Sequence, residues 1–259
     1  MKKYGIFFIH GLKKTLAEPG LLIGISMFYS LIVWVCSQIW FAIDVQTQGA
    51  VSMKEMVWYV AATEWVLLSI PQIWRDIQTD VRSGNVALYL MRPLSYYGTS
   101  LMQALGATFV RLIALGAAGA LIGCLITHDW PLGFVDSIIA FCMAFLGCLL
   151  IILMHLGTGL LTFWLQEVRP LTWFLGKMLF LFGGLLLPIK LYPSWMQTIA
   201  RWTPFPLILN DVGQWVSQDT KSLPSFTYIF GVMLWLGIIG LISAVIWKQT
   251  QRTLSINGG

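Results

Sequence analysis

Long apolar runs alternate with short polar segments along most of the chain. Six of these runs have about the length of a helix that crosses a bilayer, roughly 20 residues. The predicted spans cover approximately residues 21–43, 56–74, 102–126, 134–165, a segment from 171, and 226–247. The alternation of polar and apolar positions that is typical of an outer-membrane β-barrel is missing from the sequence. Because lipid offers the backbone no hydrogen-bond partners, the pattern predicts an all-α membrane protein with six transmembrane helices.

Composition supports a single transmembrane domain over residues 1–259. Hydrophobic residues make up 58% of the chain and charged residues 10%, against about 25% charged in soluble domains. Most Lys and Arg residues lie at the ends of apolar runs, so the net charge of +5 indicates orientation in a bilayer and no nucleic-acid partner. The four cysteines all fall inside apolar runs without metal-ligand spacing, and we expect no metal site.

Three polar or broken segments flank the spans. Residues 1–19 predict an amphipathic interfacial helix, either a topology anchor or an elbow that also touches a cytoplasmic partner. Residues 75–95, RDIQTDVRSGNVALYLMRPLS, predict short helices outside the membrane, with Gly84 as a break and Pro93 as a stop. Residues 186–223 are rich in proline and aromatic residues and predict a re-entrant or interfacial hairpin between the fifth and sixth spans.

The distribution of basic residues predicts the orientation of the chain. Ten Lys or Arg residues fall on the side that holds both termini and residues 75–95, against four on the other side. Cytoplasmic loops carry the excess of Lys and Arg. We therefore expect both termini and the 75–95 loop to be cytoplasmic and the hairpin to be external. An internal repeat of the kind found in many secondary transporters is not evident.

Glu64 and Lys177 are the two charges inside predicted spans that require an explanation. Each costs about 2.5–3.5 kcal/mol at mid-helix on insertion scales. They could form a buried pair that holds helices together, or line a transport path, and both interpretations stay open. No catalytic residues are predicted, because the three histidines are scattered and no nucleophile has a recognisable setting. A phosphate-binding loop is missing too, so any ATPase would be another chain.

Three local patterns resemble the permeases of the type-2 ABC transporter family, closest to the viologen or drug exporter subgroup. The first, after the second span, is Asp80, Arg82, Gly84, Leu90, Arg92 and Pro93. The second is Trp173, Lys177, Phe180, Gly183, Gly184 and Pro188. The third is Pro193, Trp195, Pro204 and Pro206. The amphipathic N-terminus, the six spans and the length also agree.

The resemblance implies the permease half of an ATP-driven exporter. Two permease chains, identical or paralogous, would form the translocation path in the bilayer, and a dimer of a cytoplasmic ABC ATPase would supply ATP and Mg²⁺ chemistry. The coupling residues that it implies are Asp80, Arg82, Gly84, Arg92 and Pro93. The external gate that it implies consists of Gly183, Gly184, Pro188, Trp195, Trp202 and Pro204. A multi-pass protein of the bacterial inner membrane is expected, and the sequence does not indicate the substrate.

Two other classes compete with this interpretation. A stand-alone secondary transporter could use Glu64 and Lys177 as a coupling pair, and its transport would depend on a proton gradient without ATP. A membrane-embedded enzyme would need a cluster of histidine and carboxylate side chains on one membrane face, which the sequence does not offer.

Overall fold

A computed structural model describes residues 2–46, 52–86, 94–218 and 223–257, and its regular secondary structure in these ranges is helical. The α-helices are α1 (Lys2–Leu16), α2 (Pro19–Gln46), α3 (Met53–Leu68), α4 (Ile73–Arg82), α5 (Tyr96–Thr127), α6 (Phe134–Leu160), α7 (Arg169–Phe182), α8 (Ser194–Arg201), α9 (Phe205–Ile208), α10 (Asn210–Ser217) and α11 (Phe226–Asn257). Short 3₁₀ turns follow at Leu161–Phe163 and Ile189–Leu191.

Four of the described helices are long and apolar enough to cross a membrane. They cover Pro19–Gln46, Tyr96–Thr127, Phe134–Phe163 and Phe226–Gln251. These ranges contain or closely match the predicted first, third, fourth and sixth spans. The length of the apolar stretch predicts each of these spans, because a bilayer core of about 30 Å requires about 20 residues of helix.

The predicted second and fifth spans correspond to shorter helices. Helix α3 has 16 residues and α7 has 14, or about 24 and 21 Å of helix. Ser52 caps the start of α3, and its side chain accepts a hydrogen bond from the Glu55 backbone N–H. The helix ends at Leu68, six residues before the predicted end of the span at residue 74. Pro71 explains this difference, because proline lacks a backbone N–H and disfavours helical backbone in the residue before it.

Helices α3 and α6 form the centre of the bundle. Tyr59 and Val60 of α3 and Ile151 of α6 are fully buried. Helix α3 packs against α2, α5 and α10, and α6 packs against α11, α4 and α5. A helix that is apolar on every side belongs in the interior of a bundle, and α6 has this character.

Helix α1 lies directly on α5, a contact that the sequence did not predict. Two glycines allow this close approach. A Cβ atom on Gly11 would lie 2.1 Å from the Gln103 carbonyl oxygen, and one on Gly106 would lie 2.1 Å from the Phe8 carbonyl oxygen. The Tyr4 hydroxyl also accepts a hydrogen bond from the Ser95 backbone N–H at 3.3 Å.

The connections place the predicted features at two ends of the bundle. Helix α1, helix α4, the turn after α6 and the last turns of α11 share one end, which we call the α4 end. Helices α8, α9 and α10 share the other, the hairpin end, with the start of α3. The segments predicted to be rich in basic residues therefore lie together at the α4 end.

Candidate functional site

Helix α4 is an amphipathic helix that sits on the end of α6. Ile73 and Ile77 are buried against the bundle, while Arg75 and Asp76 are exposed. The contact with α6 is close, since a Cβ atom on Gly159 would lie 2.9 Å from Ile77 Cδ1. The helix ends at Arg82, and Gly84 takes a left-handed backbone with φ of +74°. Gly84 thus provides the predicted break.

The outer face of α4 is bound to the turn between α6 and α7 through Glu167. Arg82 Nη2 lies 3.1 Å from Glu167 Oε2, and Gln78 Nε2 donates to Glu167 Oε1 at 3.1 Å. Arg82 also donates to the Gln166 carbonyl. The hydrogen bonds from Gln78 and Arg82 lower the pKa of the Glu167 carboxyl below its ordinary value. Glu167 was not among the predicted site residues.

Asp80 links α4 to two further helices. Its Oδ2 accepts a hydrogen bond from the Tyr96 hydroxyl at 2.8 Å, at the first residue of α5. The Tyr96 ring lies 6.0 Å from the Trp247 ring of α11, measured between centroids. Helix α4 is therefore attached to α5, to the α6–α7 turn and, through Tyr96, to α11. We call Gln78, Asp80, Arg82, Tyr96 and Glu167 the α4 network.

Two residues predicted for coupling, Arg92 and Pro93, lie outside the described residues. Leu90, which belongs to the same sequence pattern, lies outside them too. Asp80, Arg82 and Gly84 all fall on or just after α4. The coupling role of the five residues stays a prediction.

At the hairpin end, a second polar cluster joins α3 to the loop after α7. The Tyr59 hydroxyl donates to the Gly184 carbonyl and lies 3.3 Å from Asn210 Oδ1. Asn210 Oδ1 also accepts from the Ile189 backbone N–H at 3.0 Å. Thr63 donates to the Leu185 carbonyl at 2.6 Å. We call Tyr59, Thr63 and Asn210, with the carbonyls that they hold, the gate cluster.

The predicted gate residues divide into a buried and an exposed set. Gly183, Gly184, Pro188 and Pro204 are buried, and Trp195 and Trp202 are 61% and 81% exposed. Gly184 has φ of +70°, and a Cβ atom there would lie 2.9 Å from the Tyr59 hydroxyl. Tyr59 and Asn210 were not predicted as site residues, because neither belongs to a recognisable sequence motif.

Glu64 and Lys177 do not pair within the chain. Glu64 is 4% exposed, and no ion pair or hydrogen bond joins its carboxylate to another described residue. Lys177 is exposed on α7, and its Nζ lies 5.3 Å from the centroid of the Trp173 ring. This contact has the geometry of a cation–π interaction. Among the described residues, no three His, Cys, Asp or Glu side chains are grouped as a metal would require.

Comparison with protein families supports the resemblance. The family model described as "ABC-2 family transporter protein" matches residues 44–258 of the 259-residue chain. The chain belongs to the ABC-2 transporter family. The matched region runs from the end of α2 into the last turns of α11, so it contains α4, the α4 network and the gate cluster. A search among curated proteins found no match.

Membership of this family sets the broad function. The protein is a permease, the membrane-spanning component of an ABC transporter, and is not a catalyst by itself. The apolar helices that cross the membrane agree with that role. The two clusters of the ABC-2 permease lie at opposite ends of the bundle. Helix α3 holds Tyr59 and Thr63 of the gate cluster, and its end leads through the Pro71 bend into α4.

Proposed function

We propose that this permease is half of an ATP-driven exporter whose segment 75–95 docks on a cytoplasmic ABC ATPase. The observation that carries the proposal is the attachment of α4. An exposed amphipathic helix is fixed by Ile77 to α6, by Asp80 to α5 and by Arg82 to the α6–α7 turn. A displacement of α4 would therefore move several spans at once.

In this mechanism the ATPase supplies the energy. ATP and Mg²⁺ bind to a dimer of the partner, and closure of that dimer moves the docked α4 segments. Helix α3 then carries the movement from the Pro71 bend to the gate cluster. At the far end of this path, the Tyr59 hydroxyl of α3 donates a hydrogen bond to the Gly184 carbonyl. The hairpin of residues 186–223 closes the outer end of the path in the resting state.

The proposal places six helical segments in the bilayer, with the shorter α3 and α7 covered partly by protein. Both termini and α4 face the cytoplasm of a bacterium, in line with the excess of Lys and Arg at that end. The hairpin is re-entrant at the external surface. Trp195 and Trp202, which are exposed there, are suited to the membrane–water interface.

A second permease chain, identical or paralogous, would pack against α7. This helix buries little of its surface in the described chain: Trp173, Phe174 and Phe180 are 65%, 53% and 47% exposed. An aromatic face on a short helix is suited to contact with another protein subunit. Lys177 on the same face could then meet a partner group across the interface. The resemblance favours the viologen or drug exporter subgroup for the complete transporter.

Co-purification from the native host tests the proposal. We expect an ABC ATPase subunit to accompany the permease and to hydrolyse ATP. Changing Arg75 and Arg92 together to glutamate should release the ATPase, because both are basic residues of the docking segment. The matched control is the pair Lys190→Glu and Arg201→Glu at the hairpin end, which should keep it.

The outcome also separates the competing function. A permease that purifies alone, with transport that is abolished by a proton ionophore and unaffected by ATP depletion, would contradict the ATPase proposal. Such a result would favour a gradient-driven transporter.

A further inference from the structure

A polar cleft of about 1000 Å³ opens at the α4 end between α1, α2, α4 and α5. Its volume lies at the upper end of the range for small-molecule sites, about 300–1,000 Å³. The floor of the cleft includes Ile70 and Pro71, at the bend between α3 and α4. Asp80 and Tyr96 of the α4 network also line this cleft, but none of the functions above assigns it a ligand.

Arg111 is a half-buried cation of the cleft. Its Nη1 donates to the Ile70 carbonyl at 3.2 Å, and its Nε is buried without a hydrogen-bond partner among the described residues. No described carboxylate lies within the 4.0 Å of an ion pair with this guanidinium. A buried polar group without a partner is costly. An anionic group from outside the chain would satisfy it, and guanidinium groups bind phosphate well.

The remaining charges of the cleft have both signs. Lys14 and Asp76 face each other at 4.0 Å, and Glu18, Arg75 and Asp80 line the same cleft. The side chains of Lys14 and Asp76 are 50% and 71% exposed, so this pair is open to solvent and easily rearranged. Carboxylates beside a phosphate-binding arginine are suited to a ligand that carries an amino group as well as a phosphate.

An apolar groove continues from the cleft along α2. It has a volume of about 800 Å³ and is lined by Met27, Leu31 and Trp34 of α2 and by Ala114 of α5. Phe28 lines both the groove and the cleft. Ala114 is also one helical turn beyond Arg111 on α5. The polar and apolar parts therefore adjoin, and the shape is suited to an amphipathic ligand.

We propose that this site binds one phospholipid with a zwitterionic amino headgroup, such as phosphatidylethanolamine. The phosphate lies on Arg111, the ammonium group lies beside Glu18 and Asp76, and an acyl chain follows the α2 groove. Because Arg111 also holds the Ile70 carbonyl, the lipid stabilises one position of the bend that leads into α4. The inference concerns lipid binding and is independent of the ATPase docking proposed above.

Native mass spectrometry of the purified permease tests the site. The protein is reconstituted in nanodiscs with equal amounts of phosphatidylethanolamine and phosphatidylglycerol, extracted in mild detergent, and its retained lipid is counted. The wild type should keep one phosphatidylethanolamine. Arg111→Gln should reduce retention about tenfold or more, since hydrogen bonds to charged groups are strong.

A cavity-filling variant covers the case in which Arg111→Gln does not fold. Gly24 lines the cleft, and a Cβ atom there would meet nothing within 4 Å. Gly24→Leu should therefore fold and displace the lipid. Gly237→Leu is the matched control, because Gly237 also has open space around it but lies on the distant α11. It should retain lipid as the wild type does.

Headgroup choice is tested by Glu18→Gln combined with Asp76→Asn. This variant should lose the preference for phosphatidylethanolamine and retain phosphatidylglycerol at least equally. The proposal is overturned if Gly24→Leu keeps the lipid, or if the wild type retains phosphatidylglycerol as well as phosphatidylethanolamine.

Discussion

Arg82 and Glu167 are 85 residues apart in the chain and form an ion pair of 3.1 Å at the α4 end of the bundle. The pair joins the end of α4 to the turn that leads into α7. Both side chains are about half exposed, so the contact contributes little to the stability of the fold. The pair fixes the position of α4 on the bundle, and the proposed transfer of movement through α4 requires such a fixed position.

A charge exchange at this pair tests its role. Arg82→Glu and Glu167→Arg should each lower the ATPase activity of the complete transporter, because like charges then face each other. The double variant should restore a large part of it. The ATPase activity of the co-purified complete transporter is the measurement. The control Arg201→Glu should leave activity unchanged, and additive losses in the double variant would show that the pair does not act as a unit.

The pair also predicts a pH dependence. The pKa of Glu167 is lowered in the folded protein, first by the hydrogen bonds from Gln78 and Arg82, from an ordinary value of 4.5. A lowered folded pKa means that the contribution to stability is fully present above the unfolded pKa and is lost as the pH falls through the folded value. The Tm difference between wild type and Glu167→Gln should therefore be constant above pH 4.5 and shrink below it. A difference that grows with acid would contradict the assignment.

The close packing of α1 on α5 gives a third prediction, and a control for it is available in the same helix. Gly11→Ala would place a Cβ atom 2.1 Å from the Gln103 carbonyl oxygen, whereas Gly5→Ala meets nothing within 4 Å. Overpacking of this kind costs about 1–3 kcal/mol. We expect Gly11→Ala to lower the Tm in detergent and expose the N-terminus to protease. Gly5→Ala should do neither, and equal behaviour of the two would place α1 away from α5.

The sequence allows the long spans to be predicted because lipid imposes one strong local rule. An apolar run of sufficient length crosses the bilayer, and Phe134–Phe163 and Phe226–Gln251 both follow that rule. The end of α3 did not follow from it, because hydropathy alone does not register the effect of Pro71 on the backbone. The break at Gly84 was predictable, since glycine alone takes positive φ at little cost.

The two clusters could not be predicted in the same way. Tyr59 and Gly184 are 125 residues apart, and their contact depends on how α3 and the loop after α7 pack. The ion pair of Arg82 with Glu167 could not be predicted either. The sequence marked Arg82 as a candidate docking residue, but no pattern marked Glu167 as its partner. A single sequence contains no information on such long-range pairs. The role of a polar residue in the interior of a bundle can be inferred only when its neighbours in the structure are known.

The gate cluster gives a fourth prediction. Tyr59→Phe removes the hydroxyl that donates to the Gly184 carbonyl, and Asn210→Ala removes the acceptor of the Ile189 N–H. Each leaves a buried backbone group without its partner, at a cost of about 1–3 kcal/mol. The two losses in Tm should be less than additive, since Tyr59 and Asn210 also contact each other at 3.3 Å. Thr198→Val, on the exposed face of α8, is a control that should have little effect.

Glu64 gives the last prediction, because this buried carboxyl group has no counter-charge among the described residues. An ionised carboxylate that is 4% exposed and without a cation destabilises the fold through lost hydration. Glu64→Gln keeps the size and removes the charge, so we expect the Tm of the purified permease to rise or stay equal. Lys177→Gln should leave the Tm unchanged, since Lys177 is exposed. If Glu64 lines the transport path, Glu64→Gln will also lower transport while the ATPase stays bound. A marked fall in Tm for Glu64→Gln would instead show that the carboxylate holds a structural partner, such as a group from the second permease chain.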